Sequence, residues 1–160
     1  MAVADVSTVL WRERELLELL LFKLEEEQLV LTSGRSRWLG HATREVEMVV
    51  GQIREAELAR AVLVDALAAE LGLPPSPSLN ALADAAPSPW DDLLRAHRAA
   101  FLTLTEEIAA LSTTNRELLT SAQRASREVL VGLDVSASQT YSPRGTEAEP
   151  ARARVVDRAL

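Results

Sequence analysis

The chain has 160 residues, enough for one domain with a real core. A net charge of −7 and a pI near 4.9 argue against a nucleic-acid binder, which needs a basic face to displace counterions. The absence of cysteine excludes a disulfide framework, a redox thiol pair and a Cys-ligated zinc site. Aromatics at 4%, beside abundant Ala, Leu, Glu and Arg, favour helix over sheet.

The opening MAVADVSTVLWRERE lacks the basic and apolar regions of a signal peptide. A first helix is expected from about Ala4 to Thr32, with a heptad column Leu10, Leu17, Leu24 and Leu31. Inside it, LLELLLFKL at 16–24 is denser in leucine than a single core stripe requires. It is also too short and too charged for a membrane span, which needs about 20 largely apolar residues. At 100° per residue, Leu16, Leu17, Leu20, Leu21 and Leu24 fill one arc of about 140°. Leu19 and Phe22 fall outside it. They either pack against a third helix, the preferred reading, or form part of a surface offered to a partner.

TSGRS at 32–36 supplies a turn, with Gly34 suited to the position just past a helix end. A second helix is expected from about Trp38 to Leu71. Leu39, Ala42, Val46, Val49, Ile53, Ala56, Arg60, Leu63 and Leu67 make one seam at alternating spacings of three and four. LGLPPSPS then ends it. Ser78 to Ala86 reads as a short helical link. SPWDD at 88–92 reads as a helix start, with Ser88 as N-cap, Pro89 in the first turn and two aspartates at the positive end of the dipole.

The last helix is the longest, with Leu94, His97, Phe101, Leu104, Ile108, Leu111, Asn115, Leu118, Ala122, Ala125 and Val129 in its seam. From 88 to about 136 it would span roughly 73 Å, against about 44 Å and 50 Å for the first two helices. Packed side by side with them it would overhang, leaving an apolar seam of the kind that marks interaction sites. The fold class expected is therefore all-α. It is an antiparallel bundle or coiled coil of three main helices over 1–137, with a short linking helix and a flexible tail from Ser138 to Leu160.

Chemistry is scarce. Neither histidine has metal-ligand company: His41 has only Glu45 one turn on, and both histidines read as surface or seam residues. Glu25, Glu26 and Glu27 point about 100° apart, so the run reads as a solvated face. No phosphate loop, serine elbow or Cys/His pair exists, so an enzyme is not expected and no cofactor is required. Arg60 and Asn115 are polar at seam positions and read as register-setting residues or partner contacts. Trp11, Trp38 and Trp90 are expected to plug bundle ends.

Several stretches, taken in order, resemble one family. They are LWRERELLELLLFKLEEEQLVL within 9–31, RWLGHATREVE at 37–47, the E-x-x-R of Glu57 to Arg60, LGL at 71–73, PW at 89–90 and NRELL at 115–119. This pattern, covering most of 8 to 133, resembles the FlgN-type flagellar export chaperones of high-GC Gram-positive bacteria. The resemblance implies a cytoplasmic, non-enzymatic helical chaperone that binds the C-terminal amphipathic segments of the hook–filament junction proteins FlgK and FlgL. It would keep them unassembled and carry them to the export gate. It further implies a partner surface including Asn115, Leu118 and Leu119, extended to Leu130 and Leu133, with Tyr141 docking at the gate; Leu19 and Phe22, outside the core arc, are the first helix's candidates for the same surface. The chain would be a monomer or weak homo-oligomer, without nucleic acid and without membrane insertion. A different reading rests on Trp38-Leu39-Gly40, because a W-x-G turn between helices marks small hairpin proteins secreted by the type VII route. Those chains are shorter, and their tail signal places an acidic residue where Gly145 follows Tyr141 here. The alternative function is such a secreted protein or a coiled-coil assembly factor.

Overall fold

A computed structural model describes residues 2–140. The chain divides into two units, Met1–Glu117 and Leu118–Leu160. The described residues form α1 (Ala2–Ser33), a single 3-10 turn (Ser36–Trp38), α2 (Leu39–Leu71), α3 (Leu79–Ala85) and α4 (Trp90–Thr140), with no strand among them. The expected all-helical class and the order of the elements are those observed.

Helix ends follow local chemistry. Gly34, at φ 70°, lies just past α1 in the left-handed region that a Cβ disfavours. Gly72, at φ 69°, stops α2: its own N–H donates to the Ala69 carbonyl at 3.4 Å and the Leu73 N–H to the Ala68 carbonyl at 2.8 Å. That double closure is a Schellman motif, so glycine ends this helix before the prolines are reached. Ser78 caps α3, its hydroxyl accepting from the Ala81 N–H at 3.1 Å.

The start of α4 differs from expectation by one residue. The helix begins at Trp90, and the Pro89 carbonyl accepts the Leu93 N–H at 3.3 Å, which places Pro89 rather than Ser88 at the capping position. The aspartates do serve the first turn. Arg95 bridges Asp91 at 3.2 Å and Asp84 of α3 at 3.2 Å, tying the link to the helix that follows.

In the first unit α1 and α2 run antiparallel, and 90–117 of α4 runs alongside with the direction of α1. One core cluster joins Val3, Val6 and Leu10 to Val64 and Leu67, Leu82 and Ala83, and Leu94. The other joins Leu20 and Leu24 to Val49, with Ile108 and Leu111 packed against it. Every residue of the expected α2 seam, from Leu39 to Leu67, is buried or half-buried. The five leucines of the 140° arc in α1 are likewise buried or half-buried, as one core stripe requires.

The second unit is described over 118–140, all of it in α4. The helix reaches Thr140, so the expected flexible tail begins inside it, and the rest of that tail lies outside the described residues. Leu118 and Leu119 are half-buried, whereas every residue from Thr120 to Val135 is exposed.

Candidate functional site

Two polar layers interrupt the core of the first unit, and both begin on α1. Val6, Glu13, Leu20 and Glu27 recur at heptad spacing, and all four are buried. The two acids in this column each meet a polar seam residue of another helix. Glu13 ion-pairs with Arg60 of α2 at 3.1 Å. Burial pushes the Glu13 carboxyl above its ordinary range; Arg60 opposes that rise and Glu57 adds to it.

Glu27 takes part in a three-helix connection. Its Oε1 accepts from the Asn115 amide at 3.1 Å and its Oε2 from the Thr43 hydroxyl at 3.2 Å. The Asn115 amide also donates to the Leu24 carbonyl at 2.8 Å. Glu27 is therefore not part of a solvated acidic run, as its neighbours in sequence suggested. Asn115 is buried at 2% exposure with its amide committed internally. The geometry makes it a register-setting residue and removes its side chain from the surface a partner could reach.

A ring stack links α1 to α4 nearby. The Arg14 guanidinium lies 4.5 Å from the Trp11 ring centre, and Trp11 meets His97 edge-on at 4.9 Å. His97 continues to Phe101 at 6.4 Å. His97 is fully buried, and neither ring nitrogen has a hydrogen-bond partner. Burial, and then the positive charge of Arg14, hold its pKa below the ordinary value. It is a seam histidine, as expected, while His41 is exposed. Trp90 packs on the first core cluster; Trp11 and Trp38 are half-exposed.

Leu19 and Phe22 are 38% and 54% exposed, which corrects the preferred expectation that they pack on a third helix. The reason is rotational. Asn115 holds α4 against Leu24 and Glu27, and Leu19 and Phe22 lie about 140° and 200° around α1 from Leu24. Lys23 beside them is clamped by Glu26 and Glu45, each at 3.0 Å, and those two hydrogen bonds raise its pKa.

In the second unit Val129, Leu130, Val131, Leu133 and Val135 are all exposed, Leu130 at 65%. Tyr141 lies outside the described residues. The first unit also holds a groove of about 450 Å³, lined by Val64, Leu79, Phe101 and Leu102 together with Arg98 and Asp65. Its rim includes Ser76, held at a left-handed φ of 56° by its N–H bond to Asp65 at 2.7 Å. No local pattern announces a groove built from three segments so far apart in sequence. Among the described residues no three His, Asp or Glu side chains converge to hold a metal ion, and no helix is long and apolar enough to cross a membrane.

A bundle with polar register layers and apolar helix surface left open has the form of a helical binding protein. The family profile described as FlgN protein matches residues 1–149, and the chain belongs to that family of flagellar export chaperones. No curated protein and no solved structure matches it.

Proposed function

We propose that the chain binds the C-terminal amphipathic segments of the hook–filament junction proteins FlgK and FlgL, keeps them from premature assembly and delivers them to the export gate from the cytoplasm. The observation that carries this reading is the change along α4. The seam from Leu94 to Leu118 is buried or half-buried, yet the apolar pattern continues through Val129, Leu130 and Leu133, where every residue is exposed. Apolar helix surface of that extent is what a client helix with anchors at i, i+3, i+4 and i+7 would cover.

The client surface assigned to the second unit comprises Leu118, Leu119, Leu130 and Leu133. Covering an exposed leucine contributes on the order of 2 kcal/mol, so a few anchors offset the several kcal/mol that ordering a disordered segment costs. The balance suits a chaperone, which has to release its client. On α1, Leu19 and Phe22 are a separate exposed apolar pair for the same kind of partner. Gate docking through Tyr141 rests on the family resemblance.

Titration of the full chain with FlgK and FlgL C-terminal peptides tests the proposal. One-to-one binding, weakened at least tenfold by Leu130→Asp with Leu133→Asp, is expected. Absence of binding to either peptide, or accumulation of the protein in the culture medium as a type VII substrate would show, overturns it.

A further inference from the structure

The turn between α1 and α2 carries a charge opposite to that of the chain. Between Glu27 and Glu45 there is no Asp or Glu, but Arg35, Arg37 and Arg44 are present with His41, in a protein of net charge −7. None of these three arginines is ion-paired among the described residues. The nearest acid on the α2 side, Glu45, is ion-paired with Lys23 at 3.0 Å, which it shares with Glu26.

An aromatic ring sits in the middle of this charge. Trp38 is 47% exposed, with the Arg37 guanidinium 4.7 Å from its ring centre and the His41 ring 5.8 Å away. His41 Nδ1 meets an Arg44 guanidinium nitrogen at 3.1 Å, so the turn and the first turn of α2 form one cluster. Residues 32–38 are exposed without a break, which makes the turn a convex apex rather than a groove. Folding alone gives no reason to leave a tryptophan and three unneutralised guanidinium groups together at the tip of a hairpin.

We propose that this apex is a docking surface for an anionic lipid bilayer, with Trp38 entering the headgroup region and Arg35, Arg37 and Arg44 facing lipid phosphates. Convexity favours a broad acidic plane over a peptide, which needs a groove. Tryptophan is the side chain that settles at the membrane–water interface, apolar body inward and N–H outward. Arginine matches phosphate with a planar fork of donors. Each basic residue near an anionic surface is worth roughly a fivefold gain in partitioning. Glu47, one turn beyond Arg44, offsets part of that charge, whereas the acids deeper in α1 and α2 lie beyond the Debye length of about 8 Å at physiological salt and leave Arg35 and Arg37 at the tip uncompensated. A single aromatic anchor with three charges gives weak, reversible attachment and no insertion.

Flotation of the full chain with phosphatidylcholine vesicles, with and without phosphatidylglycerol, tests the assignment. Binding that requires phosphatidylglycerol, falls with salt, and drops at least tenfold in Arg35→Glu with Arg37→Glu and severalfold in Trp38→Ala is expected. Circular dichroism of these variants should keep the parent melting curve, because the substituted side chains are exposed. No dependence on phosphatidylglycerol, or lipid binding that the tip variants leave unchanged, overturns the proposal. So does loss of binding to an acidic protein partner in variants whose lipid binding persists. Client-peptide titration is a separate measurement, so failure here is distinguishable from failure of the chaperone reading.

Discussion

Glu27 and Asn115, 88 positions apart in sequence, meet at 3.1 Å inside the bundle, and the same carboxylate accepts from the Thr43 hydroxyl of α2. One side chain thus holds α1, α2 and α4 at a single relative height. A shift of α4 by one turn would move the Asn115 amide about 5.4 Å from both of its acceptors. The layer therefore acts against mispaired alternatives as much as it stabilises the native one.

Glu27→Ala should accordingly cost about 1–3 kcal/mol, because it leaves the Asn115 amide and the Thr43 hydroxyl short of a partner. Urea denaturation of Glu27→Leu, Asn115→Leu and the double variant would measure the coupling. The double variant should be more stable than the sum of the single losses implies; strict additivity would mean that the two groups do not interact.

Acid should destabilise the bundle through His97. Its folded pKa lies below the ordinary 6.5, so below that pH the unfolded chain holds a proton that the folded chain excludes. Stability is full above the unfolded value and declines as pH falls from about 6.5 toward the folded one. Glu13 works in the opposite sense. Its folded pKa is raised above 4.5, so its penalty is relieved as pH falls through the folded value. Denaturation between pH 7.5 and 5.5 should show the loss in the parent and a much flatter profile in His97→Phe. An unchanged slope in that variant would assign the acid sensitivity to another group.

Exposed apolar residues should separate binding from stability. Phe22→Asp and Leu133→Asp should each change unfolding free energy by less than about 1 kcal/mol, since both side chains are more than half exposed. Both should weaken client binding. If Phe22→Asp leaves client affinity unaltered, the client surface excludes α1.

Gly72→Ala should destabilise by about 1 kcal/mol, because φ is 69° there and a Cβ is disfavoured whatever the space around it. Substituting Pro74 by Ala should have a smaller effect, as the helix has already ended two residues earlier. Thermal melts of the two variants compare the glycine stop with the proline stop directly.

Much of this architecture was legible before any coordinates. Alternating three and four spacings marked covered residues along α2 from Leu39 to Leu67 and along α4 from Leu94 to Leu118, because a helix facing a core repeats its burial every 3.6 residues, but the same spacing ran on through Ala122, Ala125 and Val129, which are exposed. Glu13 and Glu27 were legible in principle, standing in the same heptad column as Val6 and Leu20. Glu27 stands in an acidic run, which resembles a solvated face until its partner is known, and Glu13 sits among the charges of WRERE, where nothing local marks it as buried. Arg60 and Asn115, the partners, were visible as polar seam residues, but nothing local says which helix they face.

The sequence by itself determined the helices, their ends at Gly34 and Ser78, and the core stripe of LLELLLFKL, since each depends on side chains within a few turns of one another. Only the tertiary structure decided what α4 covers. The rotation that brings Asn115 to Leu24 and Glu27 turns Leu19 and Phe22 to solvent, and rotation about a helix axis is set by contacts between distant segments. For the same reason α4 carries one unbroken apolar period yet has two kinds of surface, covered up to Leu118 and exposed beyond Thr120.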